Sequence, residues 1–121
     1  MSEQAQMHKG HRQRLKDRYL AEGLDHFNEV NVLELLLFYC VQRQDTNPLA
    51  HRLLDHFGKL SDVLDADFSE LMKVKGVTEH IATYLTMHTA VNRYYMKNRA
   101  ADTKILLSMD ITFSLILFGK R

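Results

Sequence analysis

Only one cysteine, one proline and five glycines occur in the 121 residues. Each scarcity excludes something. A lone Cys40 rules out an internal disulfide and suits a reducing compartment such as the cytoplasm. So few glycines and prolines argue against a strand-rich fold with many turns. No apolar run is long enough to span a bilayer, and MSEQAQMHKGHRQR at the start has no apolar core and does not read as a signal peptide. A net charge of +1 leaves no global basic field, so any electrostatic footprint of nucleic-acid binding must be local.

Catalytic patterns are also missing. The histidines (His8, His11, His26, His51, His56, His80 and His88) form no HExxH and no HxH with a distant aspartate, and no cysteine cluster accompanies them. Cys40 ends a run expected to be buried, where thiols are inert. Asp62, Asp65 and Asp67 fit cap and turn positions better than an acid–base pair. No glycine-rich loop of the P-loop or Rossmann type occurs. The expectation is a non-enzymatic chain with no metal and no cofactor.

The residues present describe a soluble, all-α domain. Apolar content of 45% and charged content of 26% are ordinary for such a protein, and the length suits one core. A first helix is expected from His11 to Ala21, closed by Gly23. Asn28 caps a second helix to about Cys40, whose core VLELLLFYC is apolar almost all round apart from Glu34 and so belongs at the centre. In DTNPLAHRLLDHFG, Asn47 is the expected cap, Pro48 the first helical residue and Gly58 the stop. Ser61 is expected to cap a short turn, SDVLD. Asp67 caps FSELMKV with Glu70 at capping-box spacing, and Thr78 caps a long helix to about Asn98. The helical domain so delimited covers 8–98, and 99–121 reads as a linker followed by an apolar tail.

That tail differs in period. LSMDITFSL, residues 107–115, alternates strictly between apolar and polar residues, which is a strand period. Such a strand has to pair, or it remains an apolar end open to a protein partner. A helical phase through Ile105, Met109, Phe113 and Ile116 is the competing pattern.

Two local features suit a phosphate backbone. In HKGHRQRLKDR, five positive charges (Lys9, Arg12, Arg14, Lys16 and Arg18) face one negative charge, Asp17. A solvated helix face explains the same residues. The second feature is LMKVKGVTEHIA, where a short helix, a glycine-containing hairpin and a second helix follow one another. Glycine lets the backbone approach a ligand closely. The first amides of the second helix lack intrahelical acceptors and suit an anion. Lys73, Lys75, Gly76, Val77, Thr78 and His80 are the hairpin residues placed to contact DNA, with Arg12 and Arg14 from the basic helix. An ordinary corner between helices, with Gly76 for geometry and Val77 for packing, accounts for the same residues.

LLDHFGKLSDVLDADFSELMKVKGVTEHIATYL resembles the helix-hairpin-helix segment of the RadC family. Upstream, GHRQRLKDRYLAEGLDHFNEVNVLELLLFY and RQDTNPLAHRLLDHFG resemble that family's N-terminal region. The likeness runs from about Gly10 to about Tyr95, with the helix-hairpin-helix over 68–95. It implies a small helical bundle related to domains of DNA repair proteins, binding phosphate without reading sequence through a motif resembling G-apolar-G. Gly76 matches the first glycine and Val77 the apolar position, while Thr78 stands where a second glycine is common. Proteins of this kind usually continue into a metalloprotease-like domain of the JAB/MPN type with an H-x-H motif. This chain has no such motif before Arg121, so the likeness carries over no enzyme activity, and a truncated product or an excised domain would explain the end. Two functions follow as expectations: a sequence-independent DNA-binding module, or a protein-interaction domain whose hairpin is purely structural.

Overall fold

The computed structural model describes residues 3–42 and 46–109, with side chains described over 10–42 and 46–102. Among these residues the chain is a succession of six helices: α1 (Glu3–Glu22), α2 (Glu29–Cys40), α3 (Asn47–Phe57), α4 (Leu60–Asp65), α5 (Phe68–Met72) and α6 (Glu79–Met109). They belong to two units, Met1–Met87 and His88–Arg121. Among the described residues no helix is long and apolar enough to cross a membrane.

The core of the first unit is built as the apolar pattern dictates. Leu33 and Leu37 of α2 meet Leu49, Ala50 and Leu53 of α3, Val63 of α4, Leu71 of α5, and Ile81, Ala82 and Leu85 of α6. Burying each large aliphatic side chain contributes about 1.5–3 kcal/mol, which is why this short chain needs no staple. Several ends follow local logic. Asn28 accepts the Asn31 amide at 2.8 Å and starts α2. Gly58, at φ 101°, closes α3 with its amide on the Leu54 carbonyl at 2.7 Å.

Two expected caps are corrected. α3 is preceded by Thr46, not capped by Asn47, and the Thr46 hydroxyl caps nothing. Asn47 instead donates its side-chain amide to Glu34 Oε1 at 3.3 Å. Glu34 is 1% exposed, and a carboxylate at that depth requires donors, so the tertiary demand wins over the local cap. Likewise α4 begins at Leu60 after Lys59 rather than being capped by Ser61. The Leu60 amide is satisfied from α2, donating to Glu29 Oε1 at 3.0 Å.

The long last helix also differs from expectation. α6 does not stop near Asn98 but continues through the supposed linker to Met109. Of the expected strand at 107–115, residues 107–109 are helical, and 110–115 lie outside the described residues. The stretch 79–109 contains no glycine or proline to break it, and a helix satisfies its own backbone where a lone strand cannot.

Candidate functional site

The hairpin lies between α5 and α6, and its backbone is closely specified. Asp67 starts α5 by accepting the Glu70 amide at 2.8 Å, and that hydrogen bond, with one from Ser69, holds its carboxyl below the usual aspartate range. Glu70 does not complete a capping box and instead pairs with Lys73 at 3.0 Å. The amides of Lys73, Val74 and Val77 then donate to the carbonyls of Glu70, Leu71 and Val74 at 3.1–3.2 Å. Val74 and Val77 are buried in the core and anchor the loop from below.

Gly76 is required by its backbone, and a side chain there would also displace the end of Arg52. Its φ of 94° is a left-handed conformation that L side chains rarely adopt. A Cβ there would also stand 2.6 Å from Arg52 Nη2 and 3.3 Å from Leu49 Cδ1. Arg52 comes from α3 and donates through Nε to the Lys75 carbonyl at 2.9 Å. One guanidinium thus braces the hairpin and adds positive charge beside its glycine. Nothing in the sequence pattern singles out Arg52, because its bond joins residues 23 positions apart.

Thr78 acts as the cap of α6. Its hydroxyl accepts the Ile81 amide at 3.2 Å, and its carbonyl accepts the Ala82 amide at 2.9 Å. The amides of Glu79 and His80, next in line, have no intrahelical acceptor and sit at the positive end of the helix. Val77 has a buried side chain, and its amide donates to the Val74 carbonyl. The exposed cations at the hairpin are Arg52, Lys75 and the Glu70-paired Lys73. Glu79 in the first turn opposes them. His80 is exposed, and its carbonyl accepts the Cys40 thiol at 3.9 Å. Burial pushes that thiol's pKa up.

The basic residues of α1 do other work. Arg12 lies 5.0 Å from the Phe38 ring centre, Lys16 4.9 Å from Tyr39 and Arg18 4.6 Å from Phe27. Such cation–π contacts contribute roughly 0.5–2 kcal/mol each. His11 Nε2 meets the buried Glu34 at 2.9 Å, and Leu15 of α1 is buried. Two of these cations, Arg12 and Lys16, thus join α1 to α2, and Arg18 packs on the segment before it. Arg14 is exposed, and the side chain of Lys9 lies outside the described residues. Among the described residues no group of three His, Cys, Asp or Glu side chains could hold a metal ion.

Comparison with known proteins converges on one family. The model described as UPF0758 N-terminal matches residues 7–83, from α1 through the hairpin into α6. A UPF0758 protein of Fusobacterium nucleatum is 34% identical over 97 residues, covering 80% of this chain and 42% of the relative. One from Ruegeria pomeroyi is 37% identical over 100 residues, covering 83% and 45%. One from Rhodobacter capsulatus is 36% identical over 94 residues, covering 78% and 44%. The chain thus spans less than half the length of these curated relatives. No solved structure matches it.

Proposed function

The chain belongs to the UPF0758 family, which is the RadC family, through that family's N-terminal region, and from this starting point we propose that it is a sequence-independent DNA-binding module. The observation that carries the reading is the hairpin itself. Gly76 brings bare backbone to the surface under the Arg52 guanidinium, one residue from Lys75 and three from the first unaccepted amide of α6. A phosphate placed there would meet a bidentate-capable arginine, a mobile lysine charge and the helix N-terminus together. Such contacts position a protein on the backbone and carry no base specificity. Binding rather than catalysis is the proposed activity of this chain, in the cytoplasm, where Cys40 stays reduced.

Arg52 replaces Arg12 as the arginine we assign to the contact, because Arg12 already lies over Phe38. Thr78 stands where a second glycine is common, yet its hydroxyl turns inward as a cap, so the contact falls to Gly76, Glu79 and His80. The test is fluorescence anisotropy with single-stranded, duplex and branched oligonucleotides of unrelated sequence. Binding should be indifferent to sequence and fall steeply with salt, with a log–log slope of about −0.9 per duplex phosphate contacted. No binding at low salt would leave the alternative, a protein-interaction domain with a structural hairpin, which the exposed apolar residues of α6 favour.

A further inference from the structure

The last turn of α2 carries an aromatic ring that the core does not use. Tyr39 is 64% exposed, and Lys16 Nζ of α1 lies 4.9 Å from its ring centre. The next residue ties this turn to the start of α6, because the Cys40 thiol donates to the His80 carbonyl at 3.9 Å. Tyr84, one turn beyond His80, is half-buried, and burial, then the neighbouring Cys40 and Tyr39, hold its hydroxyl above the usual tyrosine range. The exposed ring and its lysine therefore adjoin the first turn of α6, the same turn that the phosphate reading uses.

From this juxtaposition we propose that the partner of the hairpin is DNA with a single-stranded segment, one base of which stacks on Tyr39 while Lys16 meets an adjoining phosphate. The inference rests on the phosphate reading of the hairpin and adds to it the class of DNA bound. An aromatic face beside a cation suits an unpaired nucleotide, since the ring takes the base and the cation takes the backbone. Within a duplex each base is covered by its neighbours and offers no free face to a protein ring. Duplex DNA would therefore use the hairpin and leave Tyr39 idle, whereas a strand end, gap or junction would use both. Every base has a π-face, so the added contact keeps the binding independent of sequence.

Fluorescence anisotropy on the full chain at low salt tests this with three probes carrying the same number of phosphates: a blunt duplex, a duplex with a thymidine overhang, and the same overhang made abasic. Wild type should bind the thymidine overhang about fivefold or more tighter than the other two. Tyr39→Ala should abolish that difference and leave affinity for the blunt duplex unchanged. Tyr39→Trp should keep the preference. The sequence has no tryptophan of its own, so the fluorescence of this variant reports position 39 alone, and only the thymidine overhang should quench it. Tyr39 is exposed, so both variants should keep the helix content of the wild type by circular dichroism. Equal affinity of the wild type for the three probes, or a loss on Tyr39→Ala shared equally by all of them, would overturn the proposal and leave the phosphate reading standing. Failure of all three probes to bind would remove both.

Discussion

The Arg52 guanidinium sits over Gly76 so closely that a Cβ on the glycine would stand 2.6 Å from Nη2, while Nε of the same side chain holds the Lys75 carbonyl at 2.9 Å. The hairpin is therefore locked from α3 as well as by its own turn. Its glycine and its arginine form one unit, and they should respond to mutation as one.

Gly76→Ala should destabilise the domain by about 1–3 kcal/mol, from a left-handed backbone and the collision with Arg52. The collision is the part that Arg52→Ala removes. In urea denaturation the double variant should therefore be more stable than the sum of the two single losses allows. Strict additivity would show that the two residues do not share a constraint.

Arg52→Ala alone should cost little stability, about 0.5–1.5 kcal/mol for one exposed hydrogen bond, yet weaken DNA binding. Arg52→Lys should keep the charge but fail to rescue binding fully, since a flexible ammonium lacks the planar fork that holds the Lys75 carbonyl through Nε while Nη2 stays beside Gly76. Isothermal titration with one duplex at fixed salt separates these. Equal affinity for all three proteins would remove Arg52 from the contact.

His11→Ala should destabilise the attachment of α1. It withdraws the donor at 2.9 Å from a carboxylate that is 1% exposed and leaves Glu34 to Asn31 and Asn47, at 3.4 and 3.3 Å. A loss of about 1–3 kcal/mol is expected. Hydrogen exchange should place it in α1 and α2, and protection unchanged in those two helices would contradict it.

Asp67 makes part of the stability pH-dependent. Its carboxyl is held below the usual range by the Glu70 amide and the Ser69 hydroxyl, so the folded state favours the ionised form. That contribution is present above the unfolded aspartate pKa of about 4 and is lost as pH falls through the folded one. Melting temperature should therefore drop less on acidification for Asp67→Asn than for the wild type. Parallel curves would assign the acid sensitivity to other carboxylates.

How far the sequence could be read depended on the reach of each interaction. Asn28, Asp67 and Thr78 cap helices through amides three residues on, and Gly23 and Gly58 end them, so these signals lie within one turn of chain. The central α2 was legible from its apolar run. Asn47 and Ser61 failed as caps because Glu34 and Glu29, 13 and 31 residues away from the groups they bind, made the decisive bonds. The charges of α1 were visible, but not the rings of Phe27, Phe38 and Tyr39 beneath three of them. At the hairpin, Gly76 and Lys75 could be named from the motif. Arg52 could not, since only the packed fold brings α3 to that loop.

The phosphate-clamp reading is tested most directly by amide chemical-shift mapping, adding a short DNA duplex to the labelled chain at low salt. Shifts concentrated at Lys75, Gly76, Glu79 and His80, and fading as salt is raised, are the expected result. A spectrum that does not change, or one whose shifts fall on α1 and leave the hairpin untouched, would contradict it.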